Sequence, residues 1–260
     1  MKISVVGGGY VGLVSAVCFA ELGHAVSLIE IDKSKVKAIN SGRPPIYEEG
    51  LKDMLLEHIG RNLSATVEYN VIDNSDAVFI CVGTPSDSDG RADLSMIQSA
   101  SESIGERLRK GTGYKVVVVK STAPPGTTET LVMSKVMEHS CRGTEEIGFV
   151  MNPEFLREGL AIRDFMNPDR IVIGSVDENA GDLVETIYED IDSPVLRTSL
   201  TGAEMIKYAS NAFLATKISF SNEIGNICKK IGIDVYEVMR GVGLDHRISP
   251  HFLNAGASCR

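Results

Sequence analysis

Through residue 198, short runs rich in β-branched and apolar residues alternate with longer segments whose apolar positions recur at helical spacing. KISVV, AVSLIE, AVFICVGTP, YKVVVVKST, IGFVMNPE and RIVIGS are the strand candidates. Most are apolar without interruption, the pattern of strands covered by helices on both faces. Their alternation with helical segments predicts a doubly wound, Rossmann-like α/β domain over residues 1–198 with a mostly parallel sheet.

The pattern then changes. TGAEMIKYASNAFLATKISFSNEIGNICKKIGI contains no proline and predicts one long helix ending near Gly232. At ~1.5 Å per residue it would run roughly 45 Å, more than one small domain requires, so it is expected to support a second domain or a partner subunit. The remaining DVYEVMRGVGLDHRISPHFLNAGASCR offers one short helix and a loop, with no strand to start a new sheet. Residues 199–260 are therefore read as a central helical, dimer-forming region.

Composition narrows the partners. The 260 residues are 43% hydrophobic, enough for a substantial core, and the net charge of −9 argues against nucleic acid or an anionic membrane surface while leaving room for a local phosphate pocket. Cys18, Cys81, Cys141, Cys228 and Cys259 form no pair with zinc-ligand spacing, so no metal is expected and a reducing cytoplasm is the natural compartment. The opening MKISVVGGGYVGLVSAVCFA is interrupted by three glycines and does not read as a signal peptide. No apolar run approaches the ~20 residues of a membrane span.

The chemistry is concentrated at predicted strand ends. Gly7, Gly9 and Gly12 have GxGxxG spacing, a weak signal alone but a strong one between a strand and a helix. Gly7 permits the turn, Gly9 admits a pyrophosphate, Gly12 lets helix and strand pack, and the helix N-terminus at Tyr10 and Val11 offers its amides to phosphate. Glu30 closes the second strand where a carboxylate can hold an adenosine ribose and repel a 2′-phosphate, favouring NAD over NADP. Asp32 is its rival, and Lys35 could approach the same ribose; either could equally be a solvated helix-start charge. Thr84, before Pro85, is a turn hydroxyl or a cofactor contact. Lys120, Ser121 and Thr122 follow four valines and are read as ligand-facing. Glu154, Arg157 and Glu158 form either a helix-start ion cluster or a set of acid, base and anion-binding groups. Lys207 and Asn211 share one face of the long helix among apolar neighbours; a lysine there either snorkels to the surface or is buried for chemistry.

GGGYVG, PIYEEGL, VGTPS, KSTAPPGTT, NPEFLREG, NPDRIVIG, KYASNAFLA and GLDHRI occur in this order. Together they resemble the N-terminal part of the UDP-glucose/GDP-mannose dehydrogenase family over essentially the whole chain. The resemblance implies oxidation of a nucleotide sugar at C6, from alcohol through aldehyde and cysteine thioester to carboxylate, with two NAD consumed. GLDHRI favours UDP-glucose, giving UDP-glucuronate, over GDP-mannose and UDP-N-acetylmannosamine. It further implies that Glu30 and Lys35 hold the ribose and that Val82, Gly83, Thr84, Pro85 and Ser86, with Ser121, Thr122 and Ala123, line the cofactor. Thr122 would also be catalytic. Glu154 would activate water, Glu158 would adjoin the nicotinamide, and Phe155, Leu156, Arg157 and Glu158 would approach the sugar nucleotide. Lys207 would polarise the C6 oxygen with Asn211 beside it, while Arg247, Phe252 and Asn254 would reach substrate, Arg247 across a homodimer built on the long helix.

The family's cysteine loop places its nucleophile a few residues beyond Arg260, so the chain is expected to bind NAD without completing the oxidation. In the other alignment Ser258-Cys259 is itself the Ser-Cys pair. Two further classes share part of this pattern: β-hydroxyacid dehydrogenases, which have the glycine loop and a Lys-x-x-x-Asn pair but no thioester, and an NAD-binding module without turnover.

Overall fold

A computed structural model describes residues 1–256 of the chain; Cys259 and its neighbours Ala257, Ser258 and Arg260 lie outside the described residues. The strands are β1 (Lys2–Val6), β2 (Ala25–Ile29), β3 (Leu63–Thr66), β4 (Ala77–Ile80), β5 (Lys115–Val119), β6 (Ile147–Met151), β7 (Ile171–Ser175) and β8 (Val195–Thr198). The helices are α1 (Tyr10–Glu21), α2 (Lys33–Asn40), α3 (Leu51–His58), α4 (Ser95–Leu108), α5 (Ser134–Ser140), α6 (Ala161–Met166), α7 (Glu178–Ile187), α8 (Leu200–Ile231) and α9 (Val235–Gly243).

The strands form one sheet in the order β3-β2-β1-β4-β5-β6-β7-β8, parallel throughout except where β6 meets β7. This is the doubly wound arrangement expected from the uninterrupted apolar runs. Alternate residues of the same strand enter opposite layers: Val5, Leu28, Phe79 and Val118 pack with α1, while Val6, Ile29, Ile80 and Val119 pack with α4. Each such fully buried side chain contributes about 1.5–3 kcal/mol. β3 and β8 were not apparent from the apolar pattern. They occupy the two edges, and β8 is exposed at Val195 and Leu196, so neither needs a continuous apolar run.

Two compact units divide the chain, Met1–Lys207 and Tyr208–Arg260, with the division inside α8. In the first unit, Glu204 on α8 is fully buried and accepts from the Gly126 amide (2.5 Å) and from the Thr128 amide (2.7 Å) and hydroxyl (2.6 Å). That carboxylate fastens the start of α8 to the segment that follows Thr122. In the second unit, α8 stops where Gly232 takes φ +76°, and α9 is capped by Asp234, whose side chain accepts from the Tyr236 amide.

Candidate active site

β1, β2, β4, β5 and β6 run parallel, so their carboxyl ends share one edge, and the loops leaving that edge carry most of the predicted residues of the first unit. β1 is buried through Val6 and must turn at once into α1, which is buried over Gly12–Ala20. Gly7 makes the turn at φ +105°, where a Cβ would also lie 2.8 Å from the Cys81 carbonyl oxygen. A Cβ on Gly12 would overlap the Gly7 carbonyl oxygen. Gly9, the N-cap of α1, is different: a Cβ there would meet nothing within 4 Å.

That difference tests whether a dinucleotide fits. Packing requires glycine at positions 7 and 12 but not at 9, so the bare backbone of Gly9 leaves open space in front of the helix. No side chain caps the α1 N-terminus and no acidic residue lies in its first turn. Free amides, the positive end of the helix dipole and an open approach suit a diphosphate. The residues present at this turn therefore fit NAD, and Gly7, Gly9, Tyr10, Val11 and Gly12 would hold its diphosphate.

Glu30 follows β2 and is buried, its carboxylate held from two sides. Oε2 accepts from the Gly8 amide at 3.0 Å and Oε1 from the Asp32 amide at 2.9 Å, with Lys35 Nζ 3.7 Å from Oε2. Gly8, which the motif spacing left as a variable position, thus has its own constraint: a Cβ would lie 2.8 Å from Glu30 Oε2. Asp32 is engaged elsewhere. It caps α2 by accepting from the Ser34 hydroxyl (2.6 Å) and the Ser34 amide (2.7 Å), bonds that hold its carboxyl below the ordinary aspartate range.

The loops after β4 and β5 are tied to each other. Thr84 Oγ1 donates to the Thr122 carbonyl at 2.8 Å, and Ser121 Oγ donates to the Val82 carbonyl at 2.7 Å. Val82, Gly83, Thr84 and Pro85 therefore run beside Ser121 and Thr122 as one paired rim, with the Thr84 and Ser121 hydroxyls joining its halves. Lys120 departs from the ligand-facing reading. It is buried, with Nζ 3.0 Å from Asn152 Oδ1 and 3.2 Å from Tyr188 OH, and it lies over the Phe165 and Tyr188 rings. Burial pushes its ammonium down to about 8. Side chains alternate along an extended chain, and this one falls on the core side.

After β6 the chain presents Glu154, Phe155, Leu156, Arg157 and Glu158. Glu154 Oε1 forms a 2.9 Å ion pair with Lys207 Nζ, and Oε2 accepts from the Leu156 amide at 2.6 Å. The Lys207 and Glu154 side chains are only 6% and 12% exposed. Lys207 therefore does not snorkel; it is a buried cation facing a buried carboxylate, 5.3 Å from the Phe155 ring centroid. Phe155 also stacks under Arg170, whose guanidinium carbon is 3.9 Å from the ring centroid. Arg157 is exposed and forks onto Asp164, with Nε to Oδ2 at 2.9 Å and Nη2 to Oδ1 at 2.6 Å; Glu158 is exposed beside it. The structure thus joins Glu154 to Lys207 but directs Arg157 toward its own α6.

The remaining predicted residues belong to the second unit. Asn211 is exposed on α8, four residues beyond Lys207 in sequence. Arg247 pairs with Asp245 at 2.6 Å, Phe252 takes the uncommon φ of +62°, and Asn254 is exposed.

Residues 1–192 match the NAD binding domain of the UDP-glucose/GDP-mannose dehydrogenase family and residues 201–259 its central domain. The UDP-glucose 6-dehydrogenase TuaD of Bacillus subtilis is 48% identical over 257 residues, 98% of this chain and 55% of that protein. The solved UDP-glucose dehydrogenase of Pyrobaculum islandicum superposes with a TM-score of 0.95 at 46% identity, covering 98% of this chain and 59% of that one. A solved GDP-mannose dehydrogenase from Pseudomonas aeruginosa gives 0.94 at 40% identity, covering 99% and 60%. The chain thus spans somewhat more than half the length of these relatives. With the glycine turn, the buried Glu30 and the Glu154–Lys207 pair present, and both domains matched in order, this chain belongs to the UDP-glucose/GDP-mannose dehydrogenase family.

Proposed function

We propose that the full-length enzyme oxidises UDP-glucose at C6 to UDP-glucuronate, using two NAD and passing through a cysteine thioester. The observation that carries this reading is the buried Glu154–Lys207 pair at the carboxyl edge of a sheet that fits NAD. NAD, when bound, would supply the hydride acceptor for each of the two oxidations at C6. Lys207 faces the C6 oxygen as its proton departs and stabilises the negative charge that develops there. Glu154, held by Lys207 and by the Leu156 amide, is placed to accept a proton from the water that attacks the thioester. Thr122 contributes from the paired rim, and Asn211 assists at the C6 oxygen. Arg247, Phe252 and Asn254 contribute to sugar-nucleotide binding. UDP-glucose rather than GDP-mannose rests on GLDHRI and on the relatives named UDP-glucose dehydrogenases.

The test is stoichiometry across a panel of UDP-glucose, GDP-mannose and UDP-N-acetylmannosamine. Two NADH per UDP-glucose, with kcat/KM at least tenfold above the other sugars, is the expected result. One NADH per sugar assigns the chain a simple alcohol oxidation, and a faster rate with another sugar moves the substrate.

Glu30 gives a second expected outcome. NAD should bind at least tenfold more tightly than NADP, because a buried carboxylate opposes a 2′-phosphate. Glu30→Ala should weaken NAD binding in a fluorescence titration; unchanged affinity would remove Glu30 from the ribose site.

The same reading includes a homodimer along α8, suggested by Phe213, Phe220 and Ile227, which recur every seven residues and are 65%, 52% and 47% exposed. Light scattering that returned a monomer mass would exclude it. Among the described residues no helix is long and apolar enough to cross a membrane.

A further inference from the structure

PIYEEGL contributes one buried carboxylate that the proposed reaction does not use. Glu48 is 4% exposed, 111 residues in sequence from one of its partners. Its Oε1 accepts from the Ala161 amide at 2.8 Å; its Oε2 accepts from the Gly159 amide at 2.8 Å and from the Tyr10 hydroxyl. Among the described residues Glu48 forms no ion pair, so three neutral donors offset the cost of burying this charge.

Those donors come from two places that matter. Tyr10 is the first residue of α1 and belongs to the glycine turn that would hold the diphosphate. Gly159 directly follows Glu158, at φ +86°, and Ala161 opens α6. The segment between β6 and α6 is thus fixed at both ends. At Asn152 the side chain is held by Lys120, Tyr188 and the Val172 carbonyl; at Gly159 and Ala161 the backbone is held by Glu48. Glu154 and Glu158 lie between these two anchors.

We propose that Glu48 is a positioning residue, joining the start of the cofactor helix to the segment that carries Glu154 and Glu158, so that the two keep one geometry through turnover. The inference rests on the function proposed above, but its first test does not need activity. Amide exchange is followed in the peptide containing residues 153–161, with and without NAD, in the full-length enzyme and its Glu48→Gln and Tyr10→Phe variants. Gln keeps the shape but turns an N–H against the Gly159 or Ala161 amide, whereas Tyr10→Phe removes one hydroxyl and leaves both amide bonds in place.

NAD should slow exchange of this peptide in the unsubstituted protein. The slowing should be lost in Glu48→Gln and reduced in Tyr10→Phe. Equal slowing in all three overturns the proposal, whatever the substrate proves to be. The second test is kinetic, below the melting temperature of each variant. Glu48→Gln should lower kcat by roughly 10–100-fold, the cost of an ångström-scale misplacement, with NAD Kd changed less than threefold. Tyr10→Phe should have little further effect on kcat in the Glu48→Gln background. A lower melting temperature with unchanged kcat would make Glu48 a structural residue only. A failure of the unsubstituted enzyme to oxidise UDP-glucose would count against the proposed function and leave the exchange result standing.

Discussion

Replacing Lys207 with alanine in the full-length enzyme is expected to lower turnover of UDP-glucose by about 1,000-fold, while NAD binds within threefold of the original affinity. The magnitude follows from the role proposed for the side chain. A single preorganised donor at a developing oxyanion is worth about 10²–10³ in rate, and Lys207 brings a full charge into a site where solvent barely reaches it. Its 2.9 Å contact with Glu154 adds a second loss, because the substitution leaves that carboxylate largely buried without its cation. Breaking such a pair costs about 3–5 kcal/mol, so a drop in melting temperature is expected too. The two effects separate if kinetics are measured well below the new melting point. Lys207→Met, which retains the packing stem, should be as inactive as the alanine variant. Turnover within tenfold of normal in either variant would make the ion pair a packing feature and leave the C6 oxygen without its cation.

The glycines of this β1–α1 turn should separate folding from binding. Gly12→Ala places a Cβ on the Gly7 carbonyl oxygen, with Cys81 Cβ 3.1 Å away. Backbone atoms of β1 and α1 cannot yield without dislodging both elements. A loss of about 3 kcal/mol or more is expected, near 10 °C in melting temperature for a chain of this size. Gly9→Ala meets no atom within 4 Å and should melt with the unsubstituted protein. Its Cβ instead occupies the approach to the α1 amides, and NAD affinity should fall on the order of 100-fold, equivalent to about 3 kcal/mol. Normal NAD binding by Gly9→Ala would move the diphosphate off this turn. A normal melting curve for Gly12→Ala would contradict the close packing described here.

Six of the eight strands were legible because their burial on both faces imposes continuous apolar runs, as in the four valines of β5. The edges were not. Leu63-Ser64-Ala65-Thr66 alternates, and Val195-Leu196-Arg197-Thr198 buries little, so neither differs from a loop in sequence alone. The long helix was read nearly to its ends, since no proline or glycine pair interrupts it before Gly232. Glu30, Glu154 and Lys207 could be singled out by position at strand ends or by charge on an apolar face. Gly8, Glu48 and Glu204 could not: their partners stand 22 to 113 residues away in sequence, and nothing local marks a glutamate as an acceptor for distant amides. Lys120 was misplaced for a related reason. Position at a strand end fixes the edge a residue occupies but not which way its side chain turns, and Asn152 with Tyr188 drew this one inward.

The bond from Gly8 to Glu30 bears on how readily such an enzyme could change its coenzyme. Selectivity is usually relaxed by removing the acid that opposes a 2′-phosphate, a substitution that costs little when the acid serves only the ligand. Here the same carboxylate receives the buried amide of the central glycine at 3.0 Å and the amide of Asp32 at 2.9 Å. Removing it would clear the ribose site proposed here but leave two backbone donors without an acceptor, at about 1–3 kcal/mol for each that stays dry. Coenzyme choice and loop shape are therefore inherited together. A route from NAD to NADP has to give up the charge while keeping an acceptor for these amides, as a serine or asparagine at position 30 would.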